Sequence, residues 1–215
     1  MNSSQQINVY SPKKTLKGAN LYFRNSILVA ELDASISGRA VDDNFCESAL
    51  QLLNEFRPAA ASINLQSLPP LPDSLTTNSI AGVVNYLALT LQRWCGLPLV
   101  FAKVLHTPEK NSENNPDGNL GEHIVFECRF DHMAIAAGQV AAEMCLHCIN
   151  ANMIESERLE QITNEFLRVF LENRATQIPY IRFAEQQGIP WQPLTADGAI
   201  LVFGQGAKLR KIHQN

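Results

Sequence analysis

The sequence predicts an α+β fold: a mixed or antiparallel sheet of about four strands with helices packed on it, in the order ββααββαα, plus a C-terminal strand-turn-strand extension. Three observations lead there. Apolar residues recur at helical spacing in long segments, short apolar runs of strand length come in pairs ahead of the helical pairs, and clusters of Pro, Gly, Asn and Ser separate them. At 215 residues the chain can bury one main core with a small extension. An apolar share of 46% against 18% charged residues places it well away from the disordered regime.

The opening MNSSQQINVYSPKK is polar and reads as a flexible tail over 1–15. The α+β domain then occupies 16–175, and a connector helix with a hairpin occupies 176–215. Leu21 to Phe23 and Ile27 to Leu32 are strand-like runs around the polar break Arg24-Asn25-Ser26. Asp42 to Arg57 is helical: Asp42 or Asp43 can cap it, and Phe45, Ala49, Leu52, Leu53 and Phe56 share one face. The proline-rich SLPPLPDSLTT links it to a second helix, capped at Thr77 or Asn78 and ending at Trp94 before Gly96 and Pro98.

Leu99 to His106 and His123 to Phe130 read as strands joined by the polar loop TPEKNSENNPDGNLGE. Asp131 to Asn150 is a strongly apolar helix, and Glu155 to Ala175 an amphipathic one carrying Leu159, Ile162, Phe166, Val169 and Phe170. A short helix at Ile181 to Gln187 precedes the apolar run Ala199 to Phe203, the turn Gly204-Gln205-Gly206 and the basic Lys208, Arg210 and Lys211. A lone hairpin of this kind is marginal in water. It is expected to be disordered, to fold back around Phe183, or to contact another chain.

A net charge of -4 offers no general footprint for nucleic acid or an anionic membrane, and neither is an expected partner. No run approaches the roughly 18 to 20 apolar residues that span a bilayer, and the N-terminus lacks a signal-peptide core. A cytoplasmic location follows as the expectation. The five cysteines, Cys46, Cys95, Cys128, Cys145 and Cys148, are odd in number and sit in apolar surroundings, so reduced thiols are expected. Cys145-Leu146-His147-Cys148 has redox or zinc spacing, but no second Cys/His pair matches it, and small core residues are the better reading. Gly204-Gln205-Gly206 lacks the third glycine of a dinucleotide fingerprint and the lysine of a P-loop, which favours a tight strand connection. No metal ligand set stands out.

A family pattern runs along most of the chain. Leu16-Lys17-Gly18-Ala19-Asn20 with Ile27 to Asp33, Ala81 to Gln92 followed by Cys95-Gly96-Leu97-Pro98, and Phe126 to Phe130 with its following helix resemble the N-terminal domain of cyanophycin synthetase. The end carries most of the weight. Ala184-Glu185-Gln186-Gln187-Gly188-Ile189-Pro190-Trp191, then Ile200 to Gly206 and Leu209-Arg210-Lys211-Ile212, is similar to the segment leading from that domain into the ATP-grasp region.

The resemblance implies a cytoplasmic ATP-dependent ligase of peptide biosynthesis that polymerises aspartate and arginine. Its N-terminal domain holds the growing polymer. ATP and Mg²⁺ would belong to downstream modules, so no cofactor is expected in this chain, which is either a piece of such a ligase or a stand-alone relative. Some members carry a metal-hydrolase motif that corresponds to Gly82, Asn85 and Tyr86 here, and these residue types supply neither an imidazole ligand nor a carboxylate base. The function expected is non-catalytic polymer binding and scaffolding. The alternative is an interaction subunit docking through its hairpin onto a separately encoded ligase. The expected partners are a charged peptide polymer, ligase modules and further copies in a homo-oligomer. Lys13, Lys14 and Lys17 are candidate polymer contacts, with an ordinary solvated cluster as the competing reading. Gly204, Gly206, Lys208, Arg210 and Lys211 are the candidate interaction residues.

Overall fold

A computed structural model describes residues 9–18, 25–33, 36–37, 39, 41–57, 79–106, 122–150, 156–172, 177–195, 199–204 and 210–213. Strand β1 spans Tyr10–Leu16 and β2 Ile27–Leu32, followed by helices α1 (Asp43–Glu55) and α2 (Ile80–Trp94). Strands β3 (Ala102–His106) and β4 (Glu122–Glu127) lead to α3 (Asp131–Ile149) and α4 (Ser156–Leu167), the latter continuing through a π turn at Arg168–Glu172. Helix α5 (Ile178–Gln186) and strands β5 (Trp191–Pro193), β6 (Ile200–Phe203) and β7 (Arg210–His213) follow. The first four strands form one antiparallel sheet in the order β1-β2-β4-β3, and the last three form a second in the order β5-β6-β7. The fold is therefore α+β with helices packed on a four-stranded sheet and a C-terminal strand extension, as the sequence predicts.

Side-chain alternation explains why the central strands do not read as polar on one side. Leu28, Ala30, Ile124 and Phe126 pack into the main core with the helices, whereas Ile27, Val29 and Val125 form a small cluster with Leu16, Phe101 and Leu105. Residues of one parity face the helices and those of the other face away. Both faces of β2 and β4 are therefore apolar, which gives a near-continuous apolar run.

Helix α1 starts where Asp42 accepts a hydrogen bond from the Phe45 amide at 2.8 Å. Helix α2 starts one residue beyond the expected cap, with Ser79 accepting from the Gly82 amide at 3.3 Å. It is buried almost all round, and α3 packs along it.

Strand β1 corrects the expected tail, since residues 10–16 are ordered against β2. Tyr10, only 3% exposed, anchors its start, and Gly138 of α3 leaves room for the ring: a Cβ there would lie 2.4 Å from the Tyr10 Cζ and Oη. The polar look of this stretch is that of an edge strand. Pro12 and Lys14 flank a register shift, and lysines and a bulge on an outer strand oppose pairing with other chains. The expected strand Leu21 to Phe23 lies outside the described residues, as does the whole proline-rich link.

The C-terminal extension is also more than a hairpin. Strand β5 completes a three-stranded sheet, Gly204 turns at φ +86, and its amide donates to the Pro190 carbonyl at 2.8 Å. Leu201 is fully buried in the main core together with Ile178 and Ile181 of α5. Of the three outcomes expected for this segment, it folds back on the helix that contains Phe183, although the Phe183 side chain itself is 59% exposed. The sheet reaches the core through Trp191, Phe203 and Leu201 because these are the side chains its alternation turns inward. Helix α5 begins at Ile178, three residues earlier than expected, with Pro179 accommodated in its first turn, where no intrahelical N–H is needed.

Candidate functional site

Where β4 ends, a charged cluster ties the two sheets and α5 together. Glu127, whose side chain is 1% exposed, accepts from the Val100 amide at 3.0 Å, the Phe101 amide at 3.4 Å and the Asn25 side-chain amide at 2.6 Å. Two residues on, Arg129 reaches Glu127 at 3.6 Å and Glu185 of α5 at 3.2 Å, both through Nη2. Its guanidinium carbon lies 5.5 Å from the centre of the Trp191 ring. The Trp191 indole N–H donates to the same Glu185 Oε1 at 3.2 Å, and its ring sits 5.9 Å from Phe130 and 6.5 Å from Phe203.

This arrangement follows from local sequence. In Phe126-Glu127-Cys128-Arg129-Phe130, the buried phenylalanines and cysteine belong to the core, while the two charged residues alternate away from it. A guanidinium shared between two carboxylates and stacked on an indole makes charge-assisted contacts in three directions. Burial raises the Glu185 carboxyl above the usual carboxylate range, with Arg129 and the Trp191 hydrogen bond pulling the other way. The cluster fastens α5 and β5 to the end of β4. It provides no nucleophile-and-base pair, so its chemistry is electrostatic attachment.

The residues singled out from the sequence are dispersed. Gly82, Asn85 and Tyr86 lie on α2; Asn85 is 1% exposed, and both polar atoms of its amide lack a hydrogen-bond partner. Among the described residues no group of three or more His, Cys, Asp or Glu is placed to hold a metal ion. Lys13 pairs with Glu31 at 2.5 Å and Lys17 pairs with Asp131 at the start of α3, while Lys14 is exposed opposite Val29. Gly204 follows the end of β6, and Arg210 and Lys211 lie on β7 opposite Phe203 and Val202. Gly206 and Lys208 lie outside the described residues.

Cys145 is buried and its thiol is pushed well above its ordinary value by burial; that of Cys148 is pushed up to about 11 by the same cause. Neither has the low-pKa environment of a reactive dithiol.

The Glu127, Arg129, Glu185 and Trp191 cluster was missed because its members are 64 positions apart from Glu127 to Trp191. The available signal was a pair of charges inside an apolar strand end. Comparison of the chain with known protein families and with curated proteins finds no match.

Proposed function

We propose that the chain is a non-catalytic binding and scaffold domain of a cyanophycin-synthetase-like, ATP-dependent amino-acid ligase, holding a peptide polymer rich in carboxylate and guanidinium groups. The resemblance described above supplies the family. The observation that carries the scaffold role is the fastening of α5 and β5 to β4 by Glu127, Arg129 and Glu185, backed by burial of Leu201. That attachment gives the strand-turn-strand, whose sequence is similar to the entry into an ATP-grasp region, a fixed position relative to the α+β core. A cytoplasmic setting and assembly into a homo-oligomer belong to the same proposal; among the described residues no helix is long and apolar enough to cross a membrane.

The alternative is docking of the same segment onto a separately encoded ligase. It draws on the place of β7 as the outer strand of its sheet among the described residues, an arrangement that strand addition by another chain would extend.

Equilibrium binding of the purified chain to soluble cyanophycin, followed by calorimetry at low and moderate salt, tests the proposal. Saturable binding that weakens with salt is expected. No binding at either salt concentration overturns it.

A further inference from the structure

Among the described residues β1 and β3 are the outer strands of the four-stranded sheet, and they manage their open edges differently. Strand β1 has a register shift between Pro12 and Lys14 and carries Lys13 and Lys14, so its ladder is interrupted and charged. Strand β3 pairs with β4 in one continuous register from Ala102 to His106, and Lys103 is its exposed charge. Ala102 and Val104 pack against the main core, while Phe101 and Leu105 pack against the small cluster on the other face, so both faces are apolar up to the edge. We infer that β3 pairs antiparallel with β3 of a second copy of this chain, across a two-fold axis at Val104, joining the two sheets into one. The inference places the interface of the homo-oligomer proposed above and rests on that part of the reading; polymer binding is not needed for it.

The backbone supplies the pairing groups. The Phe101 carbonyl accepts from the Glu127 amide at 2.8 Å, so Phe101, Lys103 and Leu105 direct their N–H and C=O groups towards β4. Those of Ala102, Val104 and His106 therefore point to the open side, where no strand lies among the described residues. A two-fold contact uses the same patch on both subunits, and for a strand edge this means antiparallel pairing of identical sequences. With the axis at Val104, that residue exchanges both backbone hydrogen bonds with the partner's Val104, and Ala102 does so with the partner's His106.

Charge and strand length select this register. An axis at Lys103 would set two ammonium groups directly opposite one another, which is destabilising. An axis at Leu105 would carry Ala102 and Lys103 past the end of the partner's β3. The axis at Val104 uses the whole strand and sets Lys103 opposite the partner's Leu105, along which the lysine stem can lie. A contact of five residues on each side is smaller than the roughly 800 Å² per partner of a standard stable interface, so a concentration-dependent dimer is expected.

Sedimentation velocity of the full chain over a range of concentrations reads the association, with amide hydrogen exchange on the same samples. Leu105→Lys and Leu105→Glu remove the same apolar contact and place unlike charges opposite the partner's Lys103. Val104→Pro removes an N–H that points away from β4, so the β3–β4 ladder keeps its donors while self-pairing loses its central bonds. Thermal midpoints show that each variant folds, and if Val104→Pro does not, the two Leu105 variants carry the test. Lys14→Glu, on the other outer strand, is the control.

Leu105→Glu is expected to dimerise at least about tenfold more tightly than Leu105→Lys, since each dimer contains the altered pair twice. Val104→Pro stays monomeric and Lys14→Glu matches wild type. As concentration rises, the Ala102 and Val104 amides exchange more slowly and those of β1 do not change. A dimer indifferent to the charge at position 105 and to Val104→Pro overturns the inference and leaves the homo-oligomer with another interface. Weakening in Lys14→Glu alone moves the contact to β1 and likewise overturns it. A wild-type chain that is monomeric at every concentration overturns both the inference and the homo-oligomer.

Discussion

The two ends of the described chain are fastened to the same core by different physics. Strand β1 is held by backbone pairing with β2 and by the close approach of Tyr10 to Gly138, an apolar contact that leaves the Tyr10 hydroxyl buried without a hydrogen-bond partner. The C-terminal sheet is held by Leu201, by the packing of Trp191 and Phe203 on the core, and by the charged contacts of Arg129 with Glu127 and Glu185. Shape complementarity and backbone pairing dominate the first attachment, with the ion pairs Lys13–Glu31 and Lys17–Asp131 exposed at its surface, where salt screens them. Charge complementarity contributes to the second, so its strength responds to the charge on Glu185.

The largest effect that could break this contrast is Arg129→Ala. It leaves the Glu127 carboxylate buried without its cation, a situation that costs about 3–5 kcal/mol in comparable buried pairs. Urea unfolding followed by circular dichroism should show that loss, and hydrogen exchange should show its effect concentrated in α5, β5 and β6. Uniform faster exchange, including β1, would mean that the two attachments are not separate.

Gly138→Ala sharpens the other side of the comparison. The new methyl would clash with the Tyr10 ring, and overpacking of this kind costs roughly 1–3 kcal/mol, partly offset by the better helix propensity of alanine. Exchange should quicken in β1 while the C-terminal sheet stays protected. Tyr10→Phe in the same assay should be neutral or stabilising, because it removes a buried hydroxyl that has no partner.

A smaller effect concerns pH. Because burial raises the Glu185 carboxyl, the folded chain holds that proton more tightly than the unfolded chain does. The resulting stabilisation is complete below the ordinary carboxylate pKa and is lost as pH rises through the raised value. Glu185→Gln has no such titration, so its thermal midpoint relative to wild type should be more favourable at pH 7 than at pH 4. The reverse trend would show that Arg129, not burial, dominates this carboxyl.

The smallest expected effect is none at all. Incubating the chain with cyanophycin and zinc should release no soluble oligopeptide, because Gly82, Asn85 and Tyr86 present neither an imidazole nor a carboxylate. Chelator-sensitive release would contradict this.

Much of the fold was legible in the sequence for reasons that can be located. Helices α1, α2 and α3 showed themselves through apolar spacing and terminal signals, because they bury enough of their surface to need long apolar patterns. Strand β1 was hidden because Ser11, Pro12, Lys13 and Lys14 lie on an outer strand, where solvent-facing residues leave no alternation to read. Strand β5 was hidden by its length, since three residues, Trp191–Pro193, are too few to establish a period. The charged cluster is a product of tertiary folding. Glu127 and Arg129 could be seen as an interruption in an apolar run, but nothing near them in the chain announces that Glu185 and Trp191 will be their partners.

The chain has two tryptophans, and the fold gives them separate duties. Trp94 is 1% exposed within the main core, whereas Trp191 is half-buried at the seam, with its indole N–H on Glu185 and the Arg129 guanidinium over its ring. A phenylalanine at position 94 would leave a single emitter at the seam. Its emission would then follow separation of the C-terminal sheet optically, with no label attached, while far-ultraviolet dichroism recorded the fate of the helices.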